Sequence, residues 1–364
     1  MLKKFALAVL TLSGCILRQK TPVSDPQLIA VGSWHGRELL TYCVDESFGP
    51  YQREIQEFAS KTVQDWTDYG QLTMQLLPRC DGSQNITITK TSDASSPRGS
   101  AEIPIPYSDQ VTMTIKLIEG SGQILDGGKI RRERLYGVML HEWGHALGFG
   151  HEHDGPVAQL ITAKDPRSVM YYPWEPGRWH QAGWDDGWDR ARLSILDKLG
   201  MMTHYPPKKL AKPTNAIPEV FSEEQGESTC PTHSILIGIA CYGRYCDDKR
   251  LFCAEPTAAS GDFTVALSPF FSEKSPSLGL SDKMFVTGIE CRGAYCGEIR
   301  LRYASDPRVK PAAESCYQSV PISSDEGDDG QSYHRICRKN HGVTGVLCSG
   351  PYCGSLSVRC CPII

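Results

Sequence analysis

No stretch of lysine and arginine long enough to make a basic stripe occurs in the 364 residues, no acidic block does either, and the formal net charge is only −4. The electrostatic footprint of a nucleic-acid surface is therefore missing, and nucleic acid is not expected as a partner. Tryptophan is absent after residue 188, and cysteine is sparse before residue 230, where only Cys15, Cys43 and Cys80 occur. The C-terminal cysteines lack the paired CxxC spacing with which thiolates hold structural zinc, which argues against a zinc–thiolate array. No glycine–aspartate nonapeptide array is present, so a calcium-binding β-roll is not expected.

What is present divides the chain. Residues 31–205 hold all seven tryptophans, residues 229–364 hold twelve of the fifteen cysteines, and 206–228 between them is rich in proline, lysine and polar residues without apolar periodicity. That intervening stretch reads as a linker between two domains, each long enough to bury a core. A shorter tether covers 15–30.

The first residues, MLKKFALAVLTLSGC, place Lys3 and Lys4 before an apolar run and end on small residues and Cys15. This is the layout of an export signal (1–14), too short for a stable membrane span. Leu12–Cys15 resembles the lipobox of bacterial lipoproteins, which implies lipidation of Cys15 and a membrane anchor, with Ile16 after it implying the outer membrane; an ordinary secretory signal is the alternative. Setting Cys15 aside leaves fourteen cysteines, an even number, as expected for up to seven disulfides formed in an oxidising compartment.

In the first half, LLTYCVD, NITITK and VTMTIKL read as strands, and YQREIQEFASKTVQDWTDYG reads as a helix with Ile55, Phe58, Val63 and Trp66 near one face. A mixed α/β domain follows. Cys43 and Cys80 are its only cysteines and are expected to pair.

The segment from His141 to Asp154, HEWGHALGFGHEHD, follows the helical RRERLYGVML. On a helix, His141 and His145 are one turn apart on the same face and offer two imidazoles to one metal ion. Glu142 beside them is placed to accept a proton from water. Gly148 can end the helix in a left-handed conformation and turn the chain back, which brings in His151. Three imidazoles with an open fourth position are the ligand set of a catalytic Zn2+ site, whereas structural sites are closed by four protein ligands.

This HExxHxxGxxH segment resembles the zinc signature of the metzincin metallopeptidases, nearest the astacin form. The resemblance implies a methionine turn, matched by Ser168-Val169-Met170-Tyr171-Tyr172, with Met170 beneath the metal and Tyr172 near it as a catalytic residue. It is specific over residues 135–205 and architectural over 31–134. In the family, the glutamate matching Glu152 contacts the matured N-terminus; a chain acylated at Cys15 leaves that part unfilled. His153 reads as a solvated or supporting histidine. Trp174, Trp179, Trp184 and Trp188 crowd the following segment, either as local packing or as a wall of the substrate cleft. His35, His180 and His204 have no ligand partner at useful spacing and read as structural or surface residues.

The second half contains three copies of G-(I/V)-x-C-x-G-x-Y-C, beginning at Gly238, Gly288 and Gly345. Each reads as strand, tight turn and strand, which predicts a disulfide-rich all-β domain of β-prism or β-trefoil type. Parts of it resemble jacalin-type lectin repeats, although the cysteines are foreign to that family. Tyr245, Tyr295 and Tyr352 are open to two readings, sugar stacking or local packing, and the latter is favoured.

The repeats also predict a disulfide map. Cys241/Cys246, Cys291/Cys296 and Cys348/Cys353 each close their own hairpin. Repeats one and three share two further cysteines, Cys230 with Cys253 and Cys337 with Cys360, and repeat two lacks both, having Leu280 and Tyr303 instead. Joint loss is what a bonded pair predicts, since losing one partner leaves a free thiol. Cys316 and Cys361 remain for each other.

The whole sequence predicts an α+β protein: a metzincin-like zinc endopeptidase acting on peptides or proteins, with a C-terminal module for a carbohydrate or other cell-surface ligand. Export to the bacterial cell envelope, lipid-anchored or secreted, is expected. The alternative is a surface adhesin or lectin-like binder with an inactive zinc domain, against which an intact Glu142 argues.

Overall fold

The computed structural model describes residues 32–34, 36–92, 99–104, 109–120, 123–151, 168–170, 192–213, 221–242, 244–259, 263–275, 280–323 and 334–364. Cys15 and the export signal, His35, Glu152, His153, Tyr172, Trp174, Trp179, His180, Trp184 and Trp188 lie outside the described residues. The architecture is α+β, with few helices, several sheets and seven disulfides.

Strands β1 (Leu39–Val44), β2 (Thr73–Leu76), β3 (Ile86–Lys90), β4 (Gly99–Ala101) and β5 (Val111–Ile115) form one sheet in the order β2-β1-β3-β5-β4. All pairs are parallel except β4, which runs antiparallel to β5 at the edge. The alternation in β3 and β5 explains the layering: Ile86, Ile88, Val111, Met113 and Ile115 are buried, and the threonines between them are half-buried on the other face. Helix α1 (Gln52–Thr67) covers the sheet with Ile55, Phe58, Val63 and Trp66, the face expected from its sequence. A two-stranded ribbon, β6 (Leu125–Asp126) and β7 (Lys129–Ile130), leads into α2 (Arg132–Ala146), which carries His141, Glu142 and His145 and is buried along nearly its whole length. Cys43 of β1 is bonded to Cys80.

Helix α3 (Ile195–His204) joins the two halves. Its first turn is held by a capping box between Ser194 and Asp197. Of two adjacent methionines, Met201 is buried in the core of the first half and Met202 in a core with Ile235, Ile237 and Phe285 of the second.

The second half has three sheets, each built on one repeat hairpin: β10 (Ile235–Tyr242) with β11 (Asp248–Pro256), β13 (Phe285–Arg292) with β14 (Glu298–Ser305), and β18 (His341–Ser349) with β19 (Ser355–Pro362). Each hairpin has a register shift at the same place, before Gly238, Gly288 and Gly345. The sheets are completed by β8 (Leu210–Pro213) on β11, β9 (Glu227–Thr229) on β13, β12 (Thr264–Leu267) on β14, and β15 (Tyr317–Gln318) and β16 (Ile322–Ser323) on β19, with β17 (His334–Ile336) on β10. The segment before each hairpin pairs with the next hairpin: Thr229 with Gly288, Leu280 with Gly345 and Ile336 with Gly238, a closed cycle. Glycine is required at the crossings because a side chain at Gly238 would meet the Arg335 carbonyl at 2.4 Å. The remaining bonds are Cys230–Cys253, Cys241–Cys246, Cys291–Cys296, Cys316–Cys361, Cys337–Cys360 and Cys348–Cys353.

Residues 206–228, expected as a linker, are not free where they are described. Leu210 and Phe221 are buried, β8 pairs with β11, and Phe221 forms an isolated bridge with Lys249, so the stretch is anchored to the second half at two places. Its two anchors are too far apart in sequence to show as periodicity. Further polar contacts join the halves: the Lys339 amide donates to the Asp68 carbonyl at 2.7 Å, and Arg338 pairs with the Asp68 carboxylate at 3.1 Å.

Candidate metal centre

Helix α2 ends where the chain must turn back. Gly148 has φ of 99°, the left-handed region, and a side chain there would lie 2.2 Å from the Gly32 carbonyl oxygen. The last carbonyls of the helix are satisfied from far away in sequence, Ala146 by the Trp34 indole at 2.8 Å and Leu147 by the Tyr205 hydroxyl at 2.7 Å. His204 reaches the Gly32 carbonyl at 2.9 Å, a structural contact.

This turn delivers His151 to the two helical histidines. The three Nε2 atoms lie 3.1 Å (His141–His151), 3.1 Å (His145–His141) and 3.0 Å (His145–His151) apart. Nitrogens about 2.0–2.1 Å from one tetrahedral zinc ion are about 3.3 Å apart, so the spacing fits a single ion. The other ring nitrogens fix the tautomers. His141 Nδ1 donates to the Val169 carbonyl at 2.6 Å and His145 Nδ1 to the Phe149 carbonyl at 2.8 Å, which leaves both Nε2 atoms as acceptors directed at one point. A cation is what such a donor set binds.

Glu142 is 4 % exposed, and its buried Oε2 has no hydrogen-bond partner among the described residues. Burial pushes its carboxyl up to about 8. It faces edge strand β4, where a side chain in place of Gly99 would come within 2.7 Å of Glu142 Oε1. Met170 is fully buried against α2 at Gly144, where a side chain would lie 2.2 Å from its sulfur.

Asp197 is a residue that reading the sequence for ligands passes over. Its buried carboxylate accepts from Ser168 Oγ at 2.5 Å, from the Val169 amide at 3.1 Å and from the Ser194 amide at 2.8 Å. The Val169 backbone thus links Asp197, through its N–H, to His141, through its carbonyl. The available signal was Ser194-Ile195-Leu196-Asp197, a capping box, which marks a helix start and not a partner 29 residues away. The structure brings together His141, Glu142, His145, His151 and Met170; Tyr172 lies outside the described residues.

No family model matches this chain, and no curated protein matches it. Two solved structures of myroilysin resemble it. One has a TM-score of 0.34 and 19% identity, covering 49% of this chain and 98% of that chain. The other has a TM-score of 0.31 and 18% identity, covering 51% of this chain and 88% of that chain.

Proposed function

We propose that the chain is an exported, zinc-dependent endopeptidase of the metzincin type. The observation that carries this reading is the convergence of three Nε2 atoms beside the buried carboxylate of Glu142. His141, His145 and His151 would hold Zn2+, which when bound acidifies water at its open position and polarises the scissile carbonyl. Glu142 takes the proton from the attacking water as the carbon–oxygen bond forms, then gives it to the departing amine as the carbon–nitrogen bond breaks. Desolvation supports that role, because a carboxyl held near neutral pKa is suited to both steps. Met170 supports the ligand helix from below, and Tyr172 is assigned to the developing charge on the carbonyl oxygen.

The C-terminal half, with three hairpin-centred sheets around a shared core, is read as a β-prism-type module that directs the peptidase to a cell-surface ligand. Cys15 is read as the lipid-bearing residue of an envelope-anchored protein, and Cys15→Ser should then release the chain from membranes of its native host. The zinc reading is tested on the secreted-form protein with a diverse peptide library. Hydrolysis abolished by a chelator and restored by zinc is expected, and His145→Ala should lose the metal. Metal-independent hydrolysis would overturn it. Tyr172→Phe should lower turnover and leave zinc content unchanged.

A further inference from the structure

Repeat one has a cleft of about 540 Å³ at the corner where the chain returns from β9 to β10, within the about 300–1,000 Å³ range of small-molecule sites. The corner turns at His233, whose φ of 64° is in the left-handed region. The matching residue of repeat three, Asn340, is also left-handed, at 58°. There the corner is occupied: Asn340 Oδ1 accepts from the Lys209 amide at 2.8 Å, and Arg338 and Lys339 bind Asp68 at the end of α1 in the first half. In repeat one the same corner borders this cleft among the described residues.

Its lining has a distinct chemistry. Phe263, just before edge strand β12, and Val265 within it make an apolar wall, with Val265 45% exposed. Beside them on the same sheet, Arg302 of β14 and Glu227 of β9 are paired at 3.5 Å, so donors and acceptors are present without net charge. Thr229 and Thr232 add hydroxyls able both to donate and to accept, and the Thr287 hydroxyl, which donates to the Arg302 carbonyl, can still accept.

We infer that this cleft binds a neutral saccharide. The carbon–hydrogen face of a sugar ring covers Phe263 and Val265, and its hydroxyls exchange hydrogen bonds with Arg302, Glu227 and the threonines. A wholly apolar ligand would bury those polar groups unpaired, at a cost. A charged ligand would compete with the pair already formed. The inference rests on the reading of the C-terminal half as a binding module and is independent of the zinc chemistry.

The test applies the full secreted-form chain to an array of neutral and acidic oligosaccharides, with peptide hydrolysis measured on the same preparation. Retention by neutral glycans is expected, weakened about tenfold or more in Phe263→Ala and in Arg302→Gln. Each variant is checked for an unchanged thermal transition, and Tyr352→Phe, in the tyrosine cluster at the far end of the hairpins, is expected to bind as before. No retention by any neutral glycan, binding unaltered in both cleft variants, or displacement by extended peptides and not by free sugar would each overturn the inference. Lost glycan binding with hydrolysis intact removes this inference alone; lost hydrolysis with binding intact removes the zinc reading alone.

Discussion

His141 Nδ1 lies 2.6 Å from the carbonyl oxygen of Val169, and the amide of the same residue donates to Asp197. Val169 thus couples a proposed zinc ligand to the first turn of α3, the helix on which both halves of the protein pack.

Replacing Asp197 by Asn should break this coupling. Three donors converge on the carboxylate, and an amide offers them a single acceptor oxygen and an NH2 group that opposes the others. Stability should fall by roughly 3 kcal/mol, since each buried donor left unpaired costs about 1–3 kcal/mol. Zinc affinity should fall by about 10- to 100-fold, as for other groups that orient metal ligands. Denaturant unfolding and zinc titration check this, and an unchanged zinc affinity would show that the Val169 carbonyl holds His141 without Asp197.

Glu142→Gln should keep zinc and lose most peptide hydrolysis. A second signature comes from protonation. Burial raises the carboxyl of the metal-free protein to about 8, so at pH 7 it is mostly protonated, and a cation beside it favours the ionised form. Zinc uptake at pH 7 should therefore release a proton that the Gln variant does not release. The difference should vanish above about pH 9, where the metal-free carboxyl is already ionised. Calorimetry in buffers of different ionisation enthalpy measures it.

Gly99→Ala should act on the same carboxylate from the edge of the sheet. The added methyl would meet Glu142 Oε1 at 2.7 Å and its Cγ at 2.8 Å, closer than atoms normally approach. Displacing the base without touching a histidine should lower turnover by roughly 10- to 100-fold. Zinc content by elemental analysis should stay near that of the parent. Unaltered turnover would mean Glu142 is free to move aside.

Lys249 breaks the symmetry of the C-terminal core. It is fully buried opposite Phe221, where the other repeats place Ile299 opposite Phe271 and Leu356 opposite Ile322. Burial lowers its ammonium to about 8, and burial with the neighbouring Glu223 raises Asp247 to about 7. The repeat-two residues, installed together as Lys249→Ile and Asp247→Gly, should leave stability equal or up to about 4 kcal/mol higher at pH 7. Because the folded pKa of Lys249 is below its unfolded value, the cost of its charge is complete below pH 8 and disappears as pH rises toward 10.5. The parent should therefore gain on the variant between pH 8 and 10 in thermal unfolding. A variant much less stable at pH 7 would show the charged cluster to be net stabilising.

Much of the candidate site was legible in the residues. The offsets among His141, His145, Gly148 and His151 are set by helix period and one left-handed turn, which are local, so spacing alone predicts that the three imidazoles meet. The disulfide partners were legible for another reason: repeat two lacks two cysteines together, and the bonds Cys230–Cys253 and Cys337–Cys360 join the positions concerned.

Other features were decided by tertiary structure. The sequence by itself determined that each repeat forms a hairpin, because strand, turn and strand are adjacent and the pattern of Gly, Cys and Tyr recurs. It carried no sign that the segment before each hairpin pairs with the next one, since register between distant strands depends on which edges the closed core leaves open. Tyr245, Tyr295 and Tyr352 became a cluster, with ring centres 5.4–5.5 Å apart, only because the three turns come together at one end. Trp34 and Tyr205 cap α2 from 112 and 58 residues away, and Asp197 reaches Ser168 across 29. A ligand motif is a local pattern fixed by backbone geometry; the groups that orient it are chosen by packing, which only the folded chain specifies.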